Sequence, residues 1–264
     1  MATVRDKLWM WGHNVGVHDS TSRWKLPANS RMTPVEGAVY MGVPNIIMVW
    51  VWRAERPEPE PSWEQYALPF RALDRVVWSV GHGHGLNYAN HVFALAEKLP
   101  NMDGVILDDF FTTQADGYLA ALRPDQLAEV RRRLVLPSRR LDLWACVYEQ
   151  DLDKPIEPIL RDIDVMCFAT WTAENLARLD ENFEKLERMT PDKRKVLLLY
   201  MWDYAGRRPL PLDVMRMQCE TGLRWLREGR ADGLVFLATC ICDMGLETVE
   251  WARQWIAGVA DEEL

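Results

Sequence analysis

The chain has 264 residues, 48% of them hydrophobic and 27% charged, so it can bury a substantial core and is not a disordered chain. Its formal net charge of -8 at pH 7 argues against a nucleic-acid partner, because phosphates are bound by basic surfaces. No apolar run is long enough to span a membrane, and the first residues lack the apolar segment of a signal peptide. We therefore expect no membrane contact and a cytoplasmic location.

Eight apolar segments have the length and composition of buried β-strands. In chain order these predicted strands are residues 8–12, 45–52, 75–80, 104–107, 141–147, 164–168, 195–200 and 233–237. A helical pattern follows each of them. The first begins with the capping box of Thr33 and Glu36 and ends near Gly42. The others are residues 63–73, a stripe at Val92, Leu95 and Leu99, residues 124–136, residues 157–162, and stripes within residues 176–186, 215–226 and 246–256.

This alternation predicts parallel strands joined by right-handed crossovers, and eight such repeats close into a barrel. The predicted fold is an α/β protein with a single (β/α)8 TIM barrel domain over residues 1–264. Connections from helix to strand are short, as at residues 43–44 and 73–74. Those from strand to helix are long, and residues 53–61 in particular alternate with proline. The elaborated end of such a barrel is the end that carries function.

Aromatic, acidic and histidine side chains collect where the predicted strands end. The carboxylates are Asp108 and Asp109 after the fourth strand, Glu149 after the fifth and Asp203 after the seventh. The residues expected to bind a substrate are Trp11, His13, Trp52, Trp78, His82, His84, Tyr148, Trp171, Trp202, Tyr204 and Arg207. Indole faces stack on sugar rings while carboxylates and imidazoles bind hydroxyls, so the set favours a carbohydrate or another polyhydroxylated ligand. For any single tryptophan, a place in the barrel core is an equally good interpretation.

Hydrolysis of a glycoside uses two carboxylates, one as acid and the other as nucleophile or base. The fourth-strand sequence Gly104-Val-Ile-Leu-Asp-Asp109 resembles the strand ending of the α-amylase-like barrel glycoside hydrolases. That resemblance implies Asp108 as nucleophile, Glu149 as acid/base and Asp203 as an assisting carboxylate. It covers the architecture and these strand ends only, since Ile106 stands where that group has arginine and Trp202 where it has histidine. Asp109 is an equal candidate, because neighbouring residues of a strand point in opposite directions.

Two other hypotheses remain open. A divalent metal bound by His82, His84, His13 and Asp108 would make the protein a metal-dependent hydrolase or isomerase, although no cofactor is needed for the leading hypothesis. Alternatively, the barrel binds a sugar or metabolite without chemistry. Arg207 and Arg208 are candidates to contact an anionic group on a ligand. The expected partner is a small-molecule or oligosaccharide substrate.

The five cysteines are Cys146, Cys167, Cys219, Cys240 and Cys242, and they lack metal-finger spacing. An odd number of cysteines without an export signal predicts reduced thiols. The close pair Cys240 and Cys242 is only a weak metal or redox signal.

Overall fold

The computed structural model describes residues 2–18, 23–51, 62–82, 86 and 88–264. Eight parallel strands close into a barrel in which each strand pairs with the next along the chain and β8 pairs with β1. The strands are β1 (Leu8–His13), β2 (Asn45–Val49), β3 (Arg75–His82), β4 (Met102–Asp108), β5 (Asp142–Tyr148), β6 (Val165–Ala169), β7 (Arg194–Tyr200) and β8 (Gly233–Leu237). The predicted (β/α)8 barrel is confirmed.

Eight α-helices form the outer layer of the barrel in the described part of the chain. They are α1 (Pro34–Met41), α2 (Trp63–Ala67), α3 (Ala89–Lys98), α4 (Pro124–Arg133), α5 (Glu157–Leu160), α6 (Leu179–Met189), α7 (Leu212–Arg227) and α8 (Glu247–Val259). None of the helices described is long and apolar enough to cross a membrane.

The start of α1 matches its predicted capping box. The Thr33 hydroxyl accepts a hydrogen bond from the Glu36 amide at 3.3 Å, and the Glu36 carboxylate accepts one from the Thr33 amide at 2.8 Å. The helix ends at Gly42, whose φ of 71° is the left-handed conformation that glycine adopts at little cost. The second helix differs from its prediction, because Pro69 interrupts it and residues Leu68–Ala72 form a 3-10 helix instead.

Two tryptophans fill the interior of the barrel. Trp9 of β1 and Trp144 of β5 meet edge to face from opposite sides, with ring centroids 5.1 Å apart. Glycines make room for both indoles, since a Cβ added to Gly104 would lie 2.9 Å from Trp144 Nε1 and one added to Gly233 would lie 3.1 Å from Trp9 Cδ1. The contact also shows which side chains point inward, because residues two apart on a strand share a face.

Candidate active site

The two adjacent aspartates of β4 lie in different surroundings. Asp108 is the last residue of the strand and is 7% exposed. Its Oδ1 lies 3.6 Å from Sγ of Cys146, which points inward like Trp144 two residues before it on β5. Asp109 follows the strand, is exposed, and has a left-handed φ of 48°. Strand alternation therefore governs Asp108 but not Asp109, and the mouth of the barrel holds one buried and one exposed carboxylate.

Tyr148, the last residue of β5, binds the exposed carboxylate. Its hydroxyl donates a hydrogen bond to Asp109 Oδ1 at 2.9 Å. Burial, followed by the neighbouring Tyr200 and Asp109, raises the pKa of Tyr148 well above its ordinary value. The hydroxyl therefore stays protonated and remains a donor to Asp109.

Glu149 comes next in the chain and connects β5 to the loop after β6. Its Oε2 accepts a hydrogen bond from the Trp171 amide at 2.9 Å, and its Oε1 accepts one from Asn175 Nδ2 at 3.0 Å. The first contact holds the backbone of Trp171, and the second holds the side chain of Asn175. Both carboxylate oxygens of Glu149 therefore hold the loop after β6.

Asp203 closes the turn after β7. It is 3% exposed, and its two oxygens accept hydrogen bonds from the Gly206 amide at 2.7 Å and from Arg208 Nε at 2.9 Å. Arg208 also forms an ion pair with Glu174 at 2.8 Å. These hydrogen bonds show that Asp203 and Arg208 stabilise the same turn.

An aromatic network connects these loops across the mouth. The ring of Trp171 lies 6.3 Å from Tyr148, 6.2 Å from Tyr200 and 6.0 Å from Trp24. Trp24 in turn lies 5.3 Å from Tyr204, and its carbonyl accepts a hydrogen bond from Trp202 Nε1 at 3.1 Å. Trp171, Trp202 and Tyr204 were predicted at this end of the barrel, whereas Trp24 and Tyr200 were not. Trp24 is the one tryptophan in the polar segment 13–30, and this isolated position could have marked it as a residue of the barrel mouth.

Side chains at the carboxyl end of β1 form a separate hydrogen-bonded cluster at the barrel mouth. Trp11 Nε1 donates to His13 Nε2 at 3.2 Å, so His13 Nδ1 carries the proton and donates to the Val49 carbonyl at 3.2 Å. In this arrangement Nε2 of His13 accepts from an indole and Nδ1 donates to a backbone carbonyl. His18, absent from the predicted set, packs against His13 at 5.1 Å, with its Nδ1 3.1 Å from Cys240 Sγ.

Several of the residues predicted to bind a substrate are not placed among the side chains at the barrel mouth. Trp78 is 0% exposed and lies outside the barrel, where its ring contacts Phe70 at 4.8 Å and Trp63 at 6.4 Å. The prediction that Trp78 binds a substrate is corrected accordingly: it belongs to the packing between β3 and the second helical segment. Trp52, His84 and the side chain of His82 lie outside the described residues. Arg207 is exposed and has a left-handed φ of 54°.

The metal hypothesis finds no support in the part of the chain that the structure describes. No group of three or more histidine, cysteine, aspartate or glutamate side chains there could hold an ion. Of its proposed ligands, His13 already uses both ring nitrogens. The five cysteines are all buried and free, as the sequence predicts.

No family model matches the chain, and no curated protein is similar to it in sequence. Solved structures share its fold. A candidate α-L-fucosidase from Bacteroides thetaiotaomicron has a TM-score of 0.60 at 11% identity, over 100% of this chain and 98% of that one. A family 113 β-mannanase from Alicyclobacillus acidocaldarius has a TM-score of 0.57 at 12% identity, over 98% and 99%.

A xylanase and amylase inhibitor protein also has this fold, with a TM-score of 0.58 at 11% identity over 96% of this chain and 98% of its own. The structural neighbours thus include (β/α)8 glycoside hydrolases, and one of the three is named as an inhibitor. At these identities the likeness shows the fold alone.

Proposed function

We propose that the barrel mouth hydrolyses a glycosidic bond, with Asp108 and Asp109 as its paired carboxylates. One observation carries this proposal: an exposed carboxylate, Asp109, is hydrogen bonded to Tyr148, whose ring packs against Trp171. An acid beside an aromatic platform is suited to a sugar ring and its glycosidic oxygen. The fold itself is one that glycoside hydrolases among the structural neighbours also have.

The surroundings of the two aspartates suggest different roles. Asp109 is exposed and reaches solvent, so it is the group that exchanges a proton with the leaving oxygen and with water. Asp108 is buried at the inner wall and is the carboxylate that faces the anomeric carbon as nucleophile. Glu149 and Asp203 act on the site indirectly, because their oxygens hold Trp171 and the turn after β7.

The test is an activity screen with aryl glycosides and polysaccharides that include α-L-fucosides, β-mannans and xylans, followed by variants on the substrate that responds. We expect Asp108→Asn and Asp109→Asn each to lower kcat by about a thousandfold or more, and Glu149→Gln to lower it by no more than about tenfold. Asp261→Asn is the matched control, because Asp261 is 88% exposed and pairs with Arg5 at 2.9 Å. A thousandfold loss in Glu149→Gln with full activity in Asp109→Asn would instead support Glu149 as the acid/base.

A second candidate function is binding of a carbohydrate without chemistry. The contacts of Glu149 and Asp203 favour it, because two of the four predicted carboxylates serve the loops. The two functions differ in one measurement. Oligosaccharide binding by calorimetry, with no new reducing ends after prolonged incubation, would establish the binding protein and reject the hydrolase.

A further inference from the structure

Three charged residues at the mouth share an unusual backbone conformation. Within the described part of the chain, the non-glycine residues with a positive φ are Lys25 at 53°, Asp109 at 48° and Arg207 at 54°. This conformation is uncommon for side chains other than asparagine and aspartate, and it costs about 1 kcal/mol. Such outliers concentrate at functional sites. Two of these three are cations, and they lie on the two loops that contact each other through Trp24.

Lys25 and Arg207, together with the neighbouring Arg23, differ from most described arginines because they have no carboxylate partner in the part of the chain that the structure describes. Arg23, Lys25 and Arg207 are exposed, and none of them forms an ion pair with a residue that the structure describes. Their neighbour Arg208, by contrast, binds both Asp203 and Glu174. We call Arg23, Lys25 and Arg207 the basic rim.

Ring contacts relate Arg23 of the basic rim, and the loop that carries Arg207, to the carboxylates. The Arg23 guanidinium lies 4.4 Å above the ring of Trp24, which holds its charge over an indole face. Trp24 contacts Tyr204 on the Arg207 loop and Trp171 on the side of Tyr148 and Asp109. Arg23 and Asp109 are therefore linked by a chain of aromatic rings, Trp24, Trp171 and Tyr148.

We propose that the basic rim binds an anionic group, a carboxylate or a sulfate, on a sugar unit removed from the bond that Asp109 serves. This inference deepens the proposed function and rests on it for the identity of the ligand as a glycan. The net charge of -8 repels anions from the protein as a whole, so binding of an anionic group at the mouth would depend on the local positive charge of the basic rim.

The test compares binding of three glycan probes of similar length by calorimetry: an oligogalacturonate, a sulfated chondroitin oligosaccharide and a neutral manno-oligosaccharide. We expect one anionic probe to bind about tenfold or more tightly than the neutral one, with an affinity that falls as salt rises. The two anionic probes distinguish a uronic acid from a sulfated sugar. Equal affinity for all three probes would overturn the inference.

The variant R23Q/K25Q/R207Q should lose about tenfold in affinity for the preferred anionic probe, on the scale of exposed ion pairs, and little for the neutral one. The matched control is K7Q/R161Q/R216Q, which removes the same charge from residues that lie outside the mouth and form no ion pair with any described residue. If both triple variants weaken binding equally, net charge is the cause and the rim is not a site. If the first triple variant does not fold, Arg207→Gly relieves the left-handed backbone and tests the same contact alone.

The two proposals fail separately. Selective anion binding that depends on the rim, with no hydrolysis of any glycoside, would support the rim and reject the hydrolase. Hydrolysis that is lost in Asp109→Asn, together with equal affinity for anionic and neutral probes, would support the hydrolase and overturn the rim.

Discussion

Tyr148 and Asp109 join the ends of two neighbouring strands through one hydrogen bond of 2.9 Å at the barrel mouth. The bond needs the left-handed backbone of Asp109, which turns the carboxylate away from the direction that strand alternation would give it. It also needs a protonated phenol, and burial raises the pKa of Tyr148 so that the phenol stays protonated. The phenol of Tyr148 is therefore a lasting hydrogen-bond donor to the exposed carboxylate of Asp109.

Replacing Tyr148 by phenylalanine should lower kcat/KM on a responding glycoside by about tenfold to a hundredfold. The reason is that a hydrogen bond to a charged group contributes about 1.5–3 kcal/mol, and the variant loses that bond while keeping the ring that packs on Trp171. Steady-state kinetics and thermal unfolding of the same preparation measure the effect.

Tyr66→Phe is the matched control for this prediction. The Tyr66 hydroxyl is buried and has no hydrogen-bond partner among the residues described, so its removal should leave both activity and stability at or above the wild-type level. Equal kinetics for Tyr148→Phe and wild type would show that the bond to Asp109 does not contribute to turnover.

Replacing Asp203 by asparagine should lower the free energy of unfolding by about 1–3 kcal/mol while kcat of the folded protein changes only a few-fold. The Gly206 amide and Arg208 Nε bind different oxygens of Asp203, and asparagine would place a donor NH2 group where one of these acceptors lies. Chemical denaturation measures the change. Glu174→Gln, which removes only the exposed half of the Arg208 network, should cost much less. A thousandfold fall in kcat at unchanged stability would instead support the assisting role that the resemblance to amylase-like barrels implies.

The barrel fold could be predicted from the sequence because each strand and helix has a strong local pattern of apolar residues. The capping box of Thr33 and Glu36 predicted the start of α1 correctly. Local exceptions came from single residues: Pro69 broke the second helix, and β2 ended at Val49 instead of residue 52. These boundaries depend on packing and on backbone hydrogen bonds that composition does not reveal.

The site was less predictable because it depends on which face each strand residue occupies. His13 pairs with Val49, and both point inward, so Trp50 points outward and lies 5.4 Å from Trp63. Trp78 lies on the outer face for the same reason. A tryptophan at a strand end is equally compatible with either face, and only the register of the closed sheet distinguishes them. Likewise, nothing in the residue types of Asp108 and Asp109 shows that the second leaves the strand with a positive φ.

Replacing Gly104 by alanine should lower the free energy of unfolding by about 1–3 kcal/mol, because the added Cβ would lie 2.7 Å from the Asp142 carbonyl oxygen and 2.9 Å from Trp144 Nε1. Gly258→Ala is the control within the same protein. A Cβ at Gly258, in α8, meets no atom within 4 Å, and alanine is the better helix former, so stability should rise by up to about 1 kcal/mol. Equal denaturation midpoints for the two variants would contradict the proposed packing of Trp144 against Gly104.

The protein should lose stability steeply above pH 10. Burial raises the pKa values of Tyr200 and Tyr204 well above the ordinary value of 10.0, so the unfolded chain releases these protons near pH 10 while the folded protein retains them. The stabilisation is fully present below pH 10 and is lost as the pH rises from there toward the folded pKa values. The free energy of unfolding falls by about 1.4 kcal/mol per pH unit for each tyrosine. Tyr200→Phe should therefore reduce the slope of unfolding free energy against pH by the contribution of one tyrosine. Chemical denaturation at pH 8 and at several values between 10 and 11 measures both slopes, and parallel curves for the variant and wild type would show that Tyr200 ionises equally in the folded and unfolded states.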